Sequence, residues 1–208
     1  RGDGGDTITD YGGNDRIELG EGISEADVTV RHNSASLWLQ LNTGEWISIS
    51  GMVNGSGTIV SSRAIESVVF ADGTTWDIER LKLEAMRGTP GADTLYGFNS
   101  DDTIEGGVGN DTLYGRDGND HLLGGSGTDA LHGDAGDEIL DGGEGNDSLY
   151  GGEGNDVYIG GAGNDLLHDY SSTSNDVYRF GRGDGADSLL DYGGSADRIE
   201  LGEGISEA

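Results

Sequence analysis

Nine consecutive nonapeptides fill residues 88–168, and this repetition restricts the possible folds more than any other property of the chain. Position 1 is glycine in all nine units, and position 4 is glycine in eight, with Ser100 as the exception. Position 6 is acidic and position 8 is large and apolar in every unit. A low-complexity acidic linker does not hold four positions in register through nine units, so we expect an ordered repeat structure.

The spacing of these residues predicts a stack of short coils. The segment G-x-x-G-x-D is typical of a turn, because glycine permits positive φ and close approach of the backbone. The remaining three residues, x-U-x, predict a short strand whose middle side chain points inward. One unit cannot bury its single apolar residue alone, so units must stack on one another. Two units close one coil, which places each unit above the unit two positions earlier.

Stacking predicts columns of carboxylates at position 6. Successive carboxylates would lie about 5 Å apart, where two like charges repel by about 3 kcal/mol at an effective dielectric constant of about 20. Residues 88–168 hold 17 acidic residues and a single base, Arg116. A column of this kind requires cations, and the nine units form seven stacked pairs. Oxygen-only ligands suit a hard cation such as Ca²⁺.

Composition and motifs exclude several classes of function. The formal net charge of −29 would repel nucleic acids and anionic membranes. The chain has no cysteine, so disulfides and thiolate metal sites cannot form. No apolar run approaches the roughly 18–20 residues of a membrane span. The sequence patterns of serine hydrolases, zinc peptidases, dinucleotide-binding folds and P-loop enzymes are absent, so we predict no catalytic residue and no enzyme activity.

The nonapeptide resembles the repeats-in-toxin (RTX, or hemolysin-type) sequence G-G-x-G-x-D-x-U-x. The resemblance implies a parallel β-roll with Ca²⁺ held between stacked turns by position-6 carboxylates and backbone carbonyls. With one ion for each of the seven stacked pairs, we expect about seven ions in the central roll. Carried over by position, the ligands are Asp93, Asp102, Asp111, Asp120, Asp129, Asp147, Asp156 and Asp165. Glu138 takes the same place but has an extra methylene, so we expect it to form the weakest position. Degenerate units around Asp176 and Asp187 resemble the partial repeats that border such rolls.

Residues 28–87 have a different pattern. DVTVRH, ASLWLQL, EWISIS and IESVVF predict short strands, and Asp77 is placed to cap a short helix, IERLKLEA. All three tryptophans lie here, which predicts a denser core. Together with residues 1–27 this part is similar to the hemolysin-type calcium-binding-related domain, with FADGTTWDIERL as the matching end. The expected fold is therefore all-β: a parallel β-roll flanked by a small, mainly antiparallel β module.

The ends of the chain repeat each other. Residues 1–26 recur at residues 182–208 with one inserted residue, at an offset of 181 and then 182. We therefore expect slightly more than one period of a larger parent, cut at both ends, with neighbouring copies of the same module. The expected divisions are 1–27, a truncated flanking segment of degenerate repeats; 28–87, the β module; 88–168, the roll; and 169–208, degenerate repeats that begin the next copy.

Two surface features of the roll are also expected. Position 9 of the odd-numbered units holds an outward column of aromatic and imidazole rings: Tyr96, Tyr114, His132, Tyr150 and His168. Cross-strand stacking that stiffens the sheet is the favoured interpretation, and a recognition surface for a glycan or a partner protein is the alternative. On the even-numbered face, apolar outward residues such as Ile139 and Val157 predict a covered strip.

Two classes of parent protein remain open. One is a long, repetitive surface or adhesive protein in which this module is a calcium-stiffened spacer, and the 181–182-residue period favours it. The other is a secreted lipase, protease or pore-forming toxin that carries the module as a non-catalytic accessory. The family resemblance implies export of the unfolded chain through a one-step (type I) secretion channel, followed by folding outside the cell in calcium-rich medium.

Overall fold

The computed structural model describes residues 4–33, 35–54, 58–60 and 64–202. The chain divides into two compact units, Arg1–Met86 and Arg87–Ala208. The first contains two small sheets and a helix, and the second contains a parallel roll. In the described residues, no helix is long and apolar enough to cross a membrane.

The described residues of the N-terminal unit form seven strands, one 3-10 turn at Glu25–Asp27 and one α-helix. The strands are β1 (Gly5–Thr9), β2 (Arg16–Glu18), β3 (Val28–His32), β4 (Ser36–Leu41), β5 (Trp46–Ser50), β6 (Ser67–Val69) and β7 (Thr75–Asp77). One sheet has the order β1-β5-β4-β3, and the other has the order β2-β6-β7. Each sheet is mixed, because β1 joins β5 and β2 joins β6 in parallel, whereas the remaining pairs are antiparallel.

Helix α1 (Ile78–Ala85) begins where the sequence predicts. The Asp77 carboxylate accepts a hydrogen bond from the main-chain N–H of Arg80 at 2.9 Å, as an N-cap residue does. The helix buries Leu81 and Ala85. Residues from both sheets join them in one apolar core, in which Phe70 and Trp76 pack edge to face at 4.9 Å. The dense core expected around the tryptophans is confirmed for Trp76.

Up to residue 202, the roll consists of two six-stranded parallel sheets. The strands of the odd-numbered units are β8 (Thr94–Tyr96), β10 (Thr112–Asp117), β12 (Ala130–Ala135), β14 (Ser148–Glu153), β16 (Leu166–Asp169) and β18 (Ser188–Asp191). The opposite sheet holds β9 (Thr103–Val108), β11 (His121–Ser126), β13 (Ile139–Glu144), β15 (Val157–Ala162), β17 (Val177–Phe180) and β19 (Arg198–Leu201). Each strand pairs with the strand two units away, so the predicted stacking is confirmed.

The interior of the roll is a double column of position-8 side chains. Leu113 lies opposite Leu131, and Leu131 opposite Leu149, all with 0% exposure. On the other sheet the column includes Tyr158 and Tyr178, whose rings stack at 4.9 Å. The all-β fold with a parallel β-roll is thus confirmed. The roll does not stop at residue 168, because β17, β18 and β19 add further coils to both sheets.

Two details differ from the sequence-based expectations. The central strands are six residues long rather than three, because pairing continues through the glycines at positions 1 and 2, as between Gly125 and Gly143. The turn therefore shortens to the residues around position 4. On the even-numbered face, Ile139 is 38% exposed and Val157 is half-buried, so the expected covering of this strip is not seen at Ile139.

Candidate metal centre

The position-6 carboxylates form two columns, as the sequence predicts, and most of them accept a main-chain hydrogen bond from the preceding coil. The N–H of Asp111 donates to Oδ1 of Asp129 at 2.7 Å, Asp129 donates to Asp147 at 2.9 Å, and Asp147 donates to Asp165 at 2.8 Å. In the other column Asp102 donates to Asp120 at 2.9 Å. One oxygen of each accepting carboxylate is thereby oriented along the stack.

In five of the position-6 carboxylates the second oxygen has no hydrogen-bond partner. Buried, unpartnered Oδ2 atoms belong to Asp120, Asp129, Asp147, Asp156 and Asp165. A carboxylate oxygen that is removed from water without a partner is costly, and a bound cation removes that cost. The residues present therefore fit a metal ion, and their oxygen-only chemistry fits Ca²⁺.

Position-1 glycines make room for these oxygens. A Cβ on Gly124 would lie 2.7 Å from Oδ2 of Asp129, and a Cβ on Gly142 would lie 2.6 Å from Oδ2 of Asp147. The Cβ position on Gly124 would also lie 2.5 Å from the carbonyl oxygen of Gly142, in the next coil. The Cβ position on Gly142 would lie 2.5 Å from the carbonyl oxygen of Gly160. Beside each of these glycines, a carboxylate oxygen therefore lies close to a backbone carbonyl oxygen, which is the donor combination that Ca²⁺ takes.

Side chains alone do not complete a site. Among the described residues, no group of three or more His, Cys, Asp or Glu side chains is arranged to hold a metal ion. Each turn contributes one position-6 carboxylate to its column. The remaining donors in a site of this kind would be backbone carbonyls.

Burial has a strong effect on the protonation of the columns. Desolvation raises the pKa of Asp120 to about 7, and the charge of Asp102 adds to the effect. Desolvation likewise raises the pKa of Asp147 to about 6, with added repulsion from Asp129 and Asp165. The ionised column is therefore unfavourable until positive charge is supplied, because buried like charges disfavour one another.

Glu138 interrupts its column. Its side chain is only 1% exposed, so it points into the roll and not to solvent. Both of its carboxylate oxygens are buried without a hydrogen-bond partner. A Cβ on Gly133 would lie 2.9 Å from its Oε2, so this oxygen lies beside the position-1 glycine as the aspartate oxygens do in other units. Burial, followed by repulsion from Asp156, raises the pKa of Glu138.

The first two units differ from the others. Oδ2 of Asp93 accepts hydrogen bonds from the N–H and the hydroxyl of Thr89, at 2.5 and 2.8 Å. Oδ2 of Asp102 accepts a hydrogen bond from the N–H of Phe98 at 2.6 Å. In these units the chain itself satisfies the oxygen that is unpartnered further along the roll. Position 2 is Thr or Phe there, whereas it is mostly glycine later.

The two degenerate positions also join the columns. Oδ1 of Asp176 accepts the N–H of Asp156 at 2.8 Å, and Oδ1 of Asp187 accepts the N–H of Asp165 at 3.0 Å. Asp197 was not predicted from the sequence, and its Oδ1 accepts the N–H of Asp176 at 3.0 Å. Asp169, which is fully buried at a position-1 site, was not predicted either. The D-R-I-E sequence after Ala196 was the available signal for Asp197.

A second ladder runs beside the carboxylates and was also missed. The N–H of Asn164 donates to Oδ1 of Asn146 at 2.8 Å, and the N–H of Asn155 donates to Oδ1 of Asp137 at 2.8 Å. These bonds point to the preceding coil, whereas the position-6 bonds point to the following coil. The signal was present, since position 5 is Asn or Asp in seven of the nine units.

The aromatic column on the odd-numbered sheet is a continuous stack. Tyr96 lies on Tyr114 at 5.1 Å, and His132 lies between Tyr114 and Tyr150 at 4.8 Å from each ring. His168 is tilted and contacts Tyr170 at 3.8 Å. The inner rings cover one another's faces, which supports the stiffening interpretation, and recognition of a glycan or protein stays a prediction.

The comparisons with known families agree with this geometry. The profile of the RTX calcium-binding nonapeptide repeat matches four stretches: residues 2–23, 84–113, 96–131 and 132–167. The haemolysin-type calcium binding protein related domain matches residues 41–80. No curated protein matches the chain significantly. The repeat matches cover about half of the chain, which therefore belongs to the RTX calcium-binding nonapeptide repeat family.

Proposed function

We propose that this chain is a structural module of a secreted repetitive protein, in which Ca²⁺ binding outside the cell folds and stiffens the roll. The observation that carries the proposal is the row of buried Oδ2 atoms without hydrogen-bond partners. A non-catalytic spacer or adhesive segment of a large surface protein is the role that fits best. The recurrence of residues 1–26 at residues 182–208 supports a tandem spacer over an accessory module of an enzyme or toxin.

Calcium is expected to contribute directly to folding. Each unit buries one large side chain in the interior, so apolar burial per residue is low. Ordering the backbone of so many turns costs roughly 1–2 kcal/mol per residue. Folding also brings ionised carboxylates together in a buried column. Because a metal that binds only the folded chain adds its binding free energy to folding, Ca²⁺ would shift this balance.

Within the roll, different residues would have different roles in calcium binding. The carboxylates of Asp111, Asp129, Asp147 and Asp165 would hold ions on one side, and those of Asp120 and Asp156 on the other. Position-1 glycines let carbonyl oxygens approach, and the position-5 side chains keep successive turns in register. The bound ions supply positive charge between the turns. We expect about seven ions in the central roll, with the weakest position at Glu138.

A calcium titration followed by circular dichroism tests the proposal. In chelator the roll should give little β signal, and millimolar Ca²⁺ should induce it cooperatively. Mg²⁺ is the matched control and should substitute poorly, because it demands tight octahedral geometry and gives up its water reluctantly. A β signal that is the same in chelator and in Ca²⁺ would overturn calcium-driven folding.

A further inference from the structure

The same twelve-residue sequence, DRIELGEGISEA, occurs at residues 15–26 and 197–208 and has different strand partners in the two places. In the first copy, Arg16–Glu18 forms β2 and pairs with β6 of the N-terminal unit. In the second copy, Arg198–Leu201 forms β19 and pairs with β17 of the roll. Both pairings are parallel, and each strand is the last in its sheet among the described residues.

The two copies use opposite edges of this strand. In the first copy, the N–H of Leu19 donates to the carbonyl of Val69 at 2.8 Å, and the carbonyl of Asp15 accepts from Glu66 at 3.1 Å. Residues 15 and 19 correspond to residues 197 and 201. In the second copy, the bonds to the roll come instead from Arg198 and Gly202, at 2.9 and 2.8 Å. Alternate residues of a strand direct their main-chain groups to opposite sides, so one strand could make both sets of bonds at once.

Side-chain burial shows the same relationship. Ile17 and Leu19 are 8% and 7% exposed, because they pack into the core of the N-terminal unit. Their counterparts Ile199 and Leu201 are 58% and 57% exposed at the end of the roll. Ile199 lies opposite Tyr178 in the inward column, so it faces the roll interior. The strand that closes the roll thus presents the side chains that the first copy buries in a module core.

The neighbouring strand fits the same arrangement. Residues 5–9 form β1, which pairs with β5, and the corresponding residues in the second copy form most of β18, which pairs with β16 of the roll. Ile8 of the first copy is partly buried against the module core. Its counterpart Leu189 lies opposite Leu167 in the interior column of the roll. Both strands of the terminal coil therefore correspond to strands that the module uses.

We propose that the terminal coil of the roll, β18 and β19, is a docking surface for a second copy of the module formed by residues 27–86. The coil would pair with the roll through one edge and with the following module through the other. Roll and module would then form one continuous β structure with a shared core, which gives a rigid joint in place of a flexible linker. This inference rests on the proposed tandem function and specifies how consecutive modules are joined.

The test uses the full chain extended after Ala208 by a second copy of residues 27–86. Amide hydrogen exchange is measured in Ca²⁺ for both the 208-residue and the extended chain. In both, the amides of Arg198 and Gly202 should be protected, because they bond to the roll. The amides of Ile199 and Leu201 should exchange quickly in the shorter chain and slow by on the order of 100-fold in the extended chain.

Matched variants separate docking from folding. In the extended chain, Leu201→Asp should abolish the new protection, whereas Leu190→Thr should keep it, because Thr9 is the residue at that place in the first copy. Fast exchange of the Leu201 amide together with slow exchange of the Arg198 amide in the extended chain would overturn the proposed docking of the second module. Loss of protection at Arg198 as well would mean that the roll itself has not folded, which contradicts the proposed function instead.

Discussion

The main-chain N–H of Asp129 donates to Oδ1 of Asp147, and Oδ2 of the same Asp147 is buried without a hydrogen-bond partner. One oxygen of the carboxylate therefore holds two coils together, while the other remains for a cation. The aspartate at position 6 has a structural role and a candidate metal-binding role at once. Its loss should weaken the calcium-loaded roll, because the bond between two coils and a candidate ligand are removed together.

Glu138→Asp should increase the thermal stability of the calcium-loaded chain. The shorter side chain can accept the main-chain bond from Asp120 and leave its second oxygen for the ion. Satisfying a buried polar group is worth about 1–3 kcal/mol. Calorimetry at one fixed calcium concentration measures the difference in midpoint.

The reverse exchange provides the control for this prediction. Asp129→Glu introduces the same extra methylene into the other column and should lower the midpoint by a similar amount. If Glu138→Asp is no more stable than the unchanged chain, Glu138 already binds calcium well.

The position-5 ladder should contribute measurably to stability. Asn146→Ala removes the oxygen that accepts the N–H of Asn164 and should cost about 0.5–1 kcal/mol. Thr128→Asn should give a gain of similar size, because Thr128 lacks the amide oxygen that other units place there. Chemical denaturation in excess Ca²⁺ measures both changes. Equal stability of all three proteins would show that these exposed bonds contribute nothing.

The sequence predicted the carboxylate columns and the interior column because both depend only on the period of nine. Once unit i lies above unit i+2, the positions of Asp129 and Asp147 follow from the repeat, and so do those of Leu131 and Leu149. Helix α1 was predictable for a similar reason, since its N-cap at Asp77 is a local signal.

Other features required knowledge of tertiary structure. The recurrence of Asn or Asp at position 5 was visible in the sequence, but only the stacked structure shows that these side chains accept hydrogen bonds from the following coil. The parallel pairing of β1 with β5 joins segments that are far apart in the sequence and has no local signal. Tyr170 joins the aromatic stack through an irregular unit, so the period of nine could not place it.

His132 should act as a stacking residue. Its ring lies between Tyr114 and Tyr150 with interplanar angles of 11° and 8°. Two such contacts are worth about 1–2 kcal/mol, so His132→Ala should lower the midpoint of thermal unfolding. His132→Tyr keeps the stack and should not. Equal losses from both substitutions would argue that the imidazole itself, and not stacking, matters.

Acid should stabilise the calcium-free roll and weaken calcium binding. The pKa of Asp120 is raised from 3.8 to about 7, and that of Asp147 from 3.8 to about 6, mainly by burial. Below pH 3.8 both carboxyls are protonated in the folded and the unfolded chain, so there is no penalty. As the pH rises towards 7, the unfolded chain ionises first, so the calcium-free folded state loses stability across this window.

In chelator, circular dichroism should therefore show more β structure at about pH 5 than at about pH 8. With Ca²⁺ the order should reverse, because protons compete with the metal for the same oxygens. Replacing Asp120 and Asp147 together with Asn should flatten the dependence in chelator, whereas Asp137→Asn, which removes an exposed charge, should leave it unchanged. A calcium-free chain whose β content does not vary with pH would contradict the assignment of these buried carboxyls.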